Sequence, residues 1–186
     1  MLNFAGDFAV ILNYVCLLAA FLGVTFYFKS ITESKFIRFA RISFHTTITG
    51  IILMSFILLI LLINHQYQYI YVFNNTSNEL PFGLLLSTFY AGQEGSFLFW
   101  LLCLAIIGIF IHPFTKKHGI ESSFMASFGI ILVFLLLLLI NKSPFDKIWQ
   151  AFPEAIKTGE IPSGMKVIAL SASQWVMIPP DGAGLN

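Results

Sequence analysis

Charge is what this sequence lacks. Only 10% of its 186 residues are Asp, Glu, Lys or Arg, while 58% are hydrophobic. Soluble domains carry about a quarter charged residues, so this chain cannot coat a packed core with a solvated surface. With a mean hydropathy of +0.85, it reads as an all-α integral membrane protein. An excess of positive charge is missing too: ten Lys and Arg against nine Asp and Glu leave a net charge of +1. Neutralising phosphates takes a dense basic face, so no nucleic-acid partner is expected. Cysteine is nearly absent. Cys16 and Cys103 lie in separate apolar runs without CxxC spacing and read as small buried apolar residues. There is no HExxH, no Ser/His/Asp constellation and no phosphate-cradling glycine loop. Neither a complete catalytic site nor a metal site is therefore expected in this segment.

What the chain does have is long apolar runs. A hydrocarbon core of about 30 Å needs about 20 apolar residues in a helix. Four stretches meet that need, at about 8–28, 42–63, 91–112 and 124–140, with Pro113 closing the third. Together they predict a four-span bundle over 1–140 and a tail over 141–186. A cleaved signal peptide is a poor alternative for the first run, because Asp7 and no Lys or Arg precedes it and the run is too long.

Lys and Arg near span ends set orientation. The loop 29–41 carries Lys29, Lys35, Arg38 and Arg41, and 113–123 carries Lys116 and Lys117. The N-terminal segment and the 64–81 linker carry none. The two basic loops are therefore expected in the cytoplasm. The N-terminus, the 64–81 linker and the tail are expected on the outer, periplasmic side. Lys142, Lys147, Lys157 and Lys166 in the tail pull against that assignment.

In the linker, Tyr67, Tyr69 and Tyr71 alternate with Gln68, Ile70 and Val72, the pattern of an interfacial tyrosine belt or a short strand. Asn74-Asn75-Thr76 and Asn75-Thr76-Ser77 match a glycosylation pattern and read as a turn. Amphipathic helices on the outer surface are expected at about 80–92 and 145–157. The second has Phe145, Ile148, Trp149, Phe152 and Ile156 at helical spacing, interrupted by Pro153. Val167 to Leu170 has the character of a strand. The histidines do not converge: His65 is at the outer end of the second span, and His45, His112 and His118 are near the cytoplasmic face. Only His45 with His112 approaches a pair at one depth. All four read as interfacial side chains snorkelling to headgroups.

Leu80 to Trp100 is the informative stretch. A polar knot of Gly92, Gln93, Glu94, Gly95 and Ser96 opens the third span, and Trp100 follows one turn in. A carboxylate at the mouth of a span is costly unless it meets water, a partner or a helix N-terminus. Ser96 is expected to cap the span with Glu94 near its positive end. A direct functional role for Glu94 stands beside that structural one.

These residues also carry a family resemblance. Leu80, Pro81, Ala91, Gly92, Gln93, Glu94, Gly95, Ser96 and Trp100 resemble the "LP…LWGGQEGSLLLW" segment of the CcmF/NrfE-type cytochrome c biogenesis proteins, with Tyr90 where the family has Trp-Gly. Ser143-Pro144-Phe145 is similar to the family's "NPF", and Asp181 to Asn186 to its "DGxGLN". About 35 residues separate these two matches, like an insertion.

The resemblance implies the N-terminal portion of a haem lyase that attaches haem to the CxxCH thiols of apocytochrome c on the outer side of the bacterial cytoplasmic membrane. It implies haem as substrate, and as a bound haem b in the complete protein. The implied partners are a haem delivery protein, apocytochrome c and other maturation subunits. The family's haem ligands lie downstream of Asn186, so none is assigned here, and Gly92 to Ser96 with Trp100 are expected to shape a pocket. From another class, a transporter or respiratory-complex subunit would use Glu94 on a proton or substrate path.

Overall fold

The computed structural model describes residues 4–148, 166–171 and 174–178. Long apolar runs become helices because lipid offers no partner for backbone N–H and C=O groups, and a helix satisfies them internally. Among the described residues, four helices are long and apolar enough to cross a membrane. They are α1 (Ala5–Ser30), α2 (Ile37–Ile63, preceded by a 3₁₀ turn at Ser34–Phe36), α5 (Gln93–Lys117) and α6 (Glu121–Asn141). The chain is thus a multi-pass, helical membrane protein. Two short helices, α3 (Ile70–Asn75) and α4 (Phe82–Ser87), lie in the linker between α2 and α5. An antiparallel hairpin of β1 (Lys166–Ser171) and β2 (Gln174–Ile178) adds the strand expected near Val167.

The chain divides into two compact units. One comprises Phe8–Phe56 and Phe97–Lys142, the bulk of the four long helices. Ala9, Cys16, Ala40, Ile51, Met54, Leu101, Ala105 and Leu132 are among its buried residues. Large apolar side chains such as Phe21, Phe110 and Phe134 are exposed on its helices. In water they would be a liability, whereas against acyl chains they are the ordinary outer surface of a membrane bundle.

The other unit takes in the described parts of Met1–Asp7, Ile57–Ser96 and Ser143–Asn186. Leu58, Leu61, Tyr69, Tyr71, Val72, Phe89, Phe145 and Ile148 are buried in it. Residues 145–148 are stitched to the linker by backbone bonds. Ile70 N–H donates to the Asp146 carbonyl at 2.9 Å and Ile148 N–H to that of Gln68 at 3.1 Å. Lys147 pairs with Asp7 at 2.6 Å.

Several local expectations are revised. Pro113 does not close the third span but sits inside α5, which runs on to Lys117. Proline costs a helix one hydrogen bond, and membrane helices accommodate that loss. The predicted helix at 80–92 is in fact α4 followed by a 3₁₀ turn at Thr88–Tyr90. Of the helix expected at 145–157, Phe145 lies in a turn, Lys147 bridges to Tyr69 and Ile148 is helical, while the residues from 149 to 157 lie outside those described. So does the Asp181–Asn186 motif.

Candidate functional site

The polar knot is built around Tyr71. This residue is in α3, which begins immediately after the extended backbone of Tyr69. Its buried hydroxyl donates to the Thr88 carbonyl at 2.8 Å, with the Phe89 carbonyl a second acceptor at 3.2 Å. It accepts from the Gly92 N–H at 3.2 Å. One phenol thus ties the 3₁₀ turn to the start of α5. Burial pushes the Tyr71 hydroxyl up to about 12, and the negative charge of Glu94 adds to that.

The glycines on either side are required by this arrangement. A Cβ on Gly95 would collide with the Tyr71 hydroxyl and the Phe89 carbonyl, and one on Gly92 would come within 2.8 Å of the Tyr71 ring. Backbone and ring approach so closely only where no side chain intervenes. Gln93 is left exposed and Glu94 half-buried in the first turn of α5. Glu94 is near enough to Asp146 that its charge, after desolvation, helps raise the Asp146 carboxyl above its ordinary range. The residues of two matched segments, Gly92–Ser96 and Ser143–Phe145, therefore belong to one compact unit.

Ser96 does not cap α5 as expected. The helix starts at Gln93, so Gly92 precedes it, and the Gly92 carbonyl accepts the first helical bond from Ser96 N–H at 3.0 Å. The Ser96 hydroxyl donates to the carbonyls of Gly92 at 2.8 Å and Tyr90 at 3.0 Å. An N-cap side chain accepts from the helix; Ser96, one turn in, instead fastens the helix to the preceding turn. Trp100 is exposed on α5.

Nor do the alternating tyrosines form a belt or a strand. All three are buried. Tyr67 donates to Asn78 Oδ1 at 2.7 Å, and Tyr69 accepts from Gly6 N–H at 3.1 Å. Burial raises the Tyr69 hydroxyl above its usual range, since the anionic form would be poorly solvated. Period-2 spacing flagged these residues, but carried no hint of which carbonyl or amide each hydroxyl would reach.

A second polar cluster lies within the helical unit. Arg41 in α2 grips Glu121 in the first turn of α6 bidentately, at 2.7 Å through Nε and 2.6 Å through Nη2. His112 Nε2 of α5 meets Glu121 Oε1, the oxygen that also accepts from Arg41 Nε, at 3.1 Å. Glu121 is buried, and partners on both oxygens are what make a buried carboxylate tolerable. His45 and His112 meet edge to face, their ring centroids 5.2 Å apart. The expectation of separate, snorkelling histidines is corrected for this pair; the missed signal was the opposite charges of Arg41 and Glu121, each in a turn flanking a short loop. His65 lies beside the Tyr67 hydroxyl, and His118 against the Phe114 carbonyl.

A haem held between two histidines needs a ring on each face of the macrocycle. His45 and His112 touch one another, and His112 Nε2 is engaged by Glu121. The pair therefore does not fit that role. Among the described residues no three His, Cys, Asp or Glu side chains group as a metal site.

No protein-family model matches this chain, and no curated protein matches it. Its fold is similar to a solved structure described as cytochrome c haem lyase CcmF, with a TM-score of 0.67 and 21% sequence identity. The match covers 84% of this chain but only 27% of the other, so the chain spans about a quarter of that protein's length. At that identity the likeness is one of fold.

Proposed function

From that shared fold, we propose that this chain is the N-terminal part of a CcmF-like haem lyase acting in cytochrome c biogenesis. The observation that carries the reading is the Tyr71-centred knot. Within the stretch that resembles the family's signature, Gly92 and Gly95 are residues whose small size the local packing demands, and the Gly92 amide is held by the Tyr71 hydroxyl. The similar fold over 84% of the chain supports it independently.

In this reading the complete protein joins haem to the CxxCH thiols of apocytochrome c outside the cytoplasmic membrane. The 1–140 segment forms the membrane bundle, with 29–41 and 113–123 in the cytoplasm and the 141–186 tail on the periplasmic side. Haem is the substrate, and the partners are a haem delivery protein, apocytochrome c and other maturation subunits. This segment's contribution is positional. Tyr71 sets the angle at which α5 begins, so that Gln93 and Glu94 present a polar edge to a pocket completed by the rest of the protein, with Trp100 on its flank.

The test is to introduce Glu94→Ala and Gly95→Leu into the full-length protein and measure covalently assembled cytochrome c. Holocytochrome yield is expected to fall in both, with protein level maintained in Glu94→Ala. Wild-type yield from both variants at normal protein level would remove the knot from the reaction. A purified complex without a Soret band under assembly conditions would point to a transport role.

A further inference from the structure

One face of α2 changes character along its length. Arg38, Arg41 and His45 follow at helical spacing, then Thr46 and Thr49, then Leu53. With Leu12 of α1 they line an open groove of about 710 Å³. Gly50 is also in the lining, and a Cβ there would collide with Cys16 Sγ, so the two helices approach closely at this point. From Arg38 to Leu53 the helix rises about 22 Å at about 1.5 Å per residue. One leaflet of hydrocarbon is about 15 Å deep, so the groove reaches from headgroup level into the acyl region.

Charge decides what fits. Arg41 is neutralised by Glu121. Arg38 is exposed, and among the described residues no carboxylate pairs with it. A guanidinium with no carboxylate partner among the described residues, and an imidazole two turns further along the same groove before it turns apolar, complement an amphiphile with an anionic head and a hydrocarbon tail. A free anion would use only the cationic end, and a neutral lipid only the apolar one.

We propose that this groove is a binding site for one anionic phospholipid. Its phosphate lies between Arg38 and His45, its glycerol region passes Thr46 and Thr49, and one acyl chain runs along Leu12 and Leu53. The site belongs to the helical unit and does not depend on the haem lyase reading.

Native mass spectrometry of the purified full chain in detergent tests it, titrating phosphatidylglycerol and phosphatidylcholine with identical acyl chains. Phosphatidylglycerol is expected to be retained about fivefold more strongly, the worth of one arginine near a membrane surface. Arg38→Gln should remove that preference, and Thr49→Trp, which fills the groove, should weaken both lipids. Because Arg38 is exposed and pairs with no carboxylate among the described residues, its substitution is expected to leave the fold intact and decides the question even if Thr49→Trp misfolds. Equal retention of the two lipids would overturn the proposal, as would a preference that survives in Arg38→Gln. A Soret band lost in His45→Ala would assign the groove to haem instead.

Discussion

The hydroxyl of Tyr71 occupies the space that a side chain on Gly95 would need. The phenol is held there by the Thr88 carbonyl and the Gly92 amide, so neither partner of this close approach has room to give way. Gly95→Ala is therefore expected to destabilise the protein by roughly 1–3 kcal/mol, the range for overpacking. A thermal melt in detergent measures it. Adding Tyr71→Phe should not restore the loss, because the Phe89 carbonyl still blocks the new methyl group.

Two tyrosines should respond oppositely to loss of the hydroxyl. Tyr71→Phe strands the Gly92 amide and the Thr88 carbonyl, at a cost of about 1–3 kcal/mol. Among the described residues the buried Tyr27 hydroxyl has no hydrogen-bond partner, so Tyr27→Phe should leave Tm unchanged or raise it. Comparing the two melts checks both assignments.

Alkaline titration should expose the buried phenol. Tyr71 holds its proton in the folded chain up to about 12, against an ordinary value of 10. The contribution is complete below the ordinary value and is lost as pH rises from there through about 12, because the unfolded chain gives up its proton first. Stability measured across that window should fall in the wild type, and the fall should be smaller in Tyr71→Phe.

Breaking the Arg41–Glu121 pair on one side should cost more than removing it whole. Glu121→Gln leaves Arg41 without its bidentate acceptor. The expected loss is about 2 kcal/mol, below the fully buried range because the Arg41 side chain is 32% exposed. Arg41→Met combined with Glu121→Met should recover most of it. A double-mutant cycle in Tm that shows simple additivity would contradict the coupling.

His45→Ala and His112→Ala, singly, should leave the Soret absorbance of the purified complex unchanged, because the two rings touch and do not flank a macrocycle. A spectrophotometric comparison at equal protein concentration checks this.

Much of the fold was legible before any contact was known. The four spans follow from apolar run length, because backbone in lipid has to satisfy itself locally. Their ends were less legible. Pro113 looked like a stop, yet α5 runs through it. The Gly92–Ser96 segment stood out as polar and glycine-rich at the mouth of a span. Its organiser did not, since Tyr71 resembles its neighbours Tyr67 and Tyr69 in every local respect. The Ser96 hydroxyl was similarly ambiguous, because serine can accept from a helix start or donate back along it, and only the position of Gln93 as first helical residue settles which.

By itself, the sequence determined that this is a membrane chain with four long apolar runs and a costly carboxylate, Glu94, in a Gly-Gln-Glu-Gly knot. Those properties depend on composition and on interactions within a few residues. Tertiary structure alone decided that Tyr71 reaches Gly92 across 21 positions and Arg41 reaches Glu121 across 80. Hydrogen bonds and ion pairs are short-ranged and directional, so their partners are chosen by how segments pack, and no local pattern records that choice.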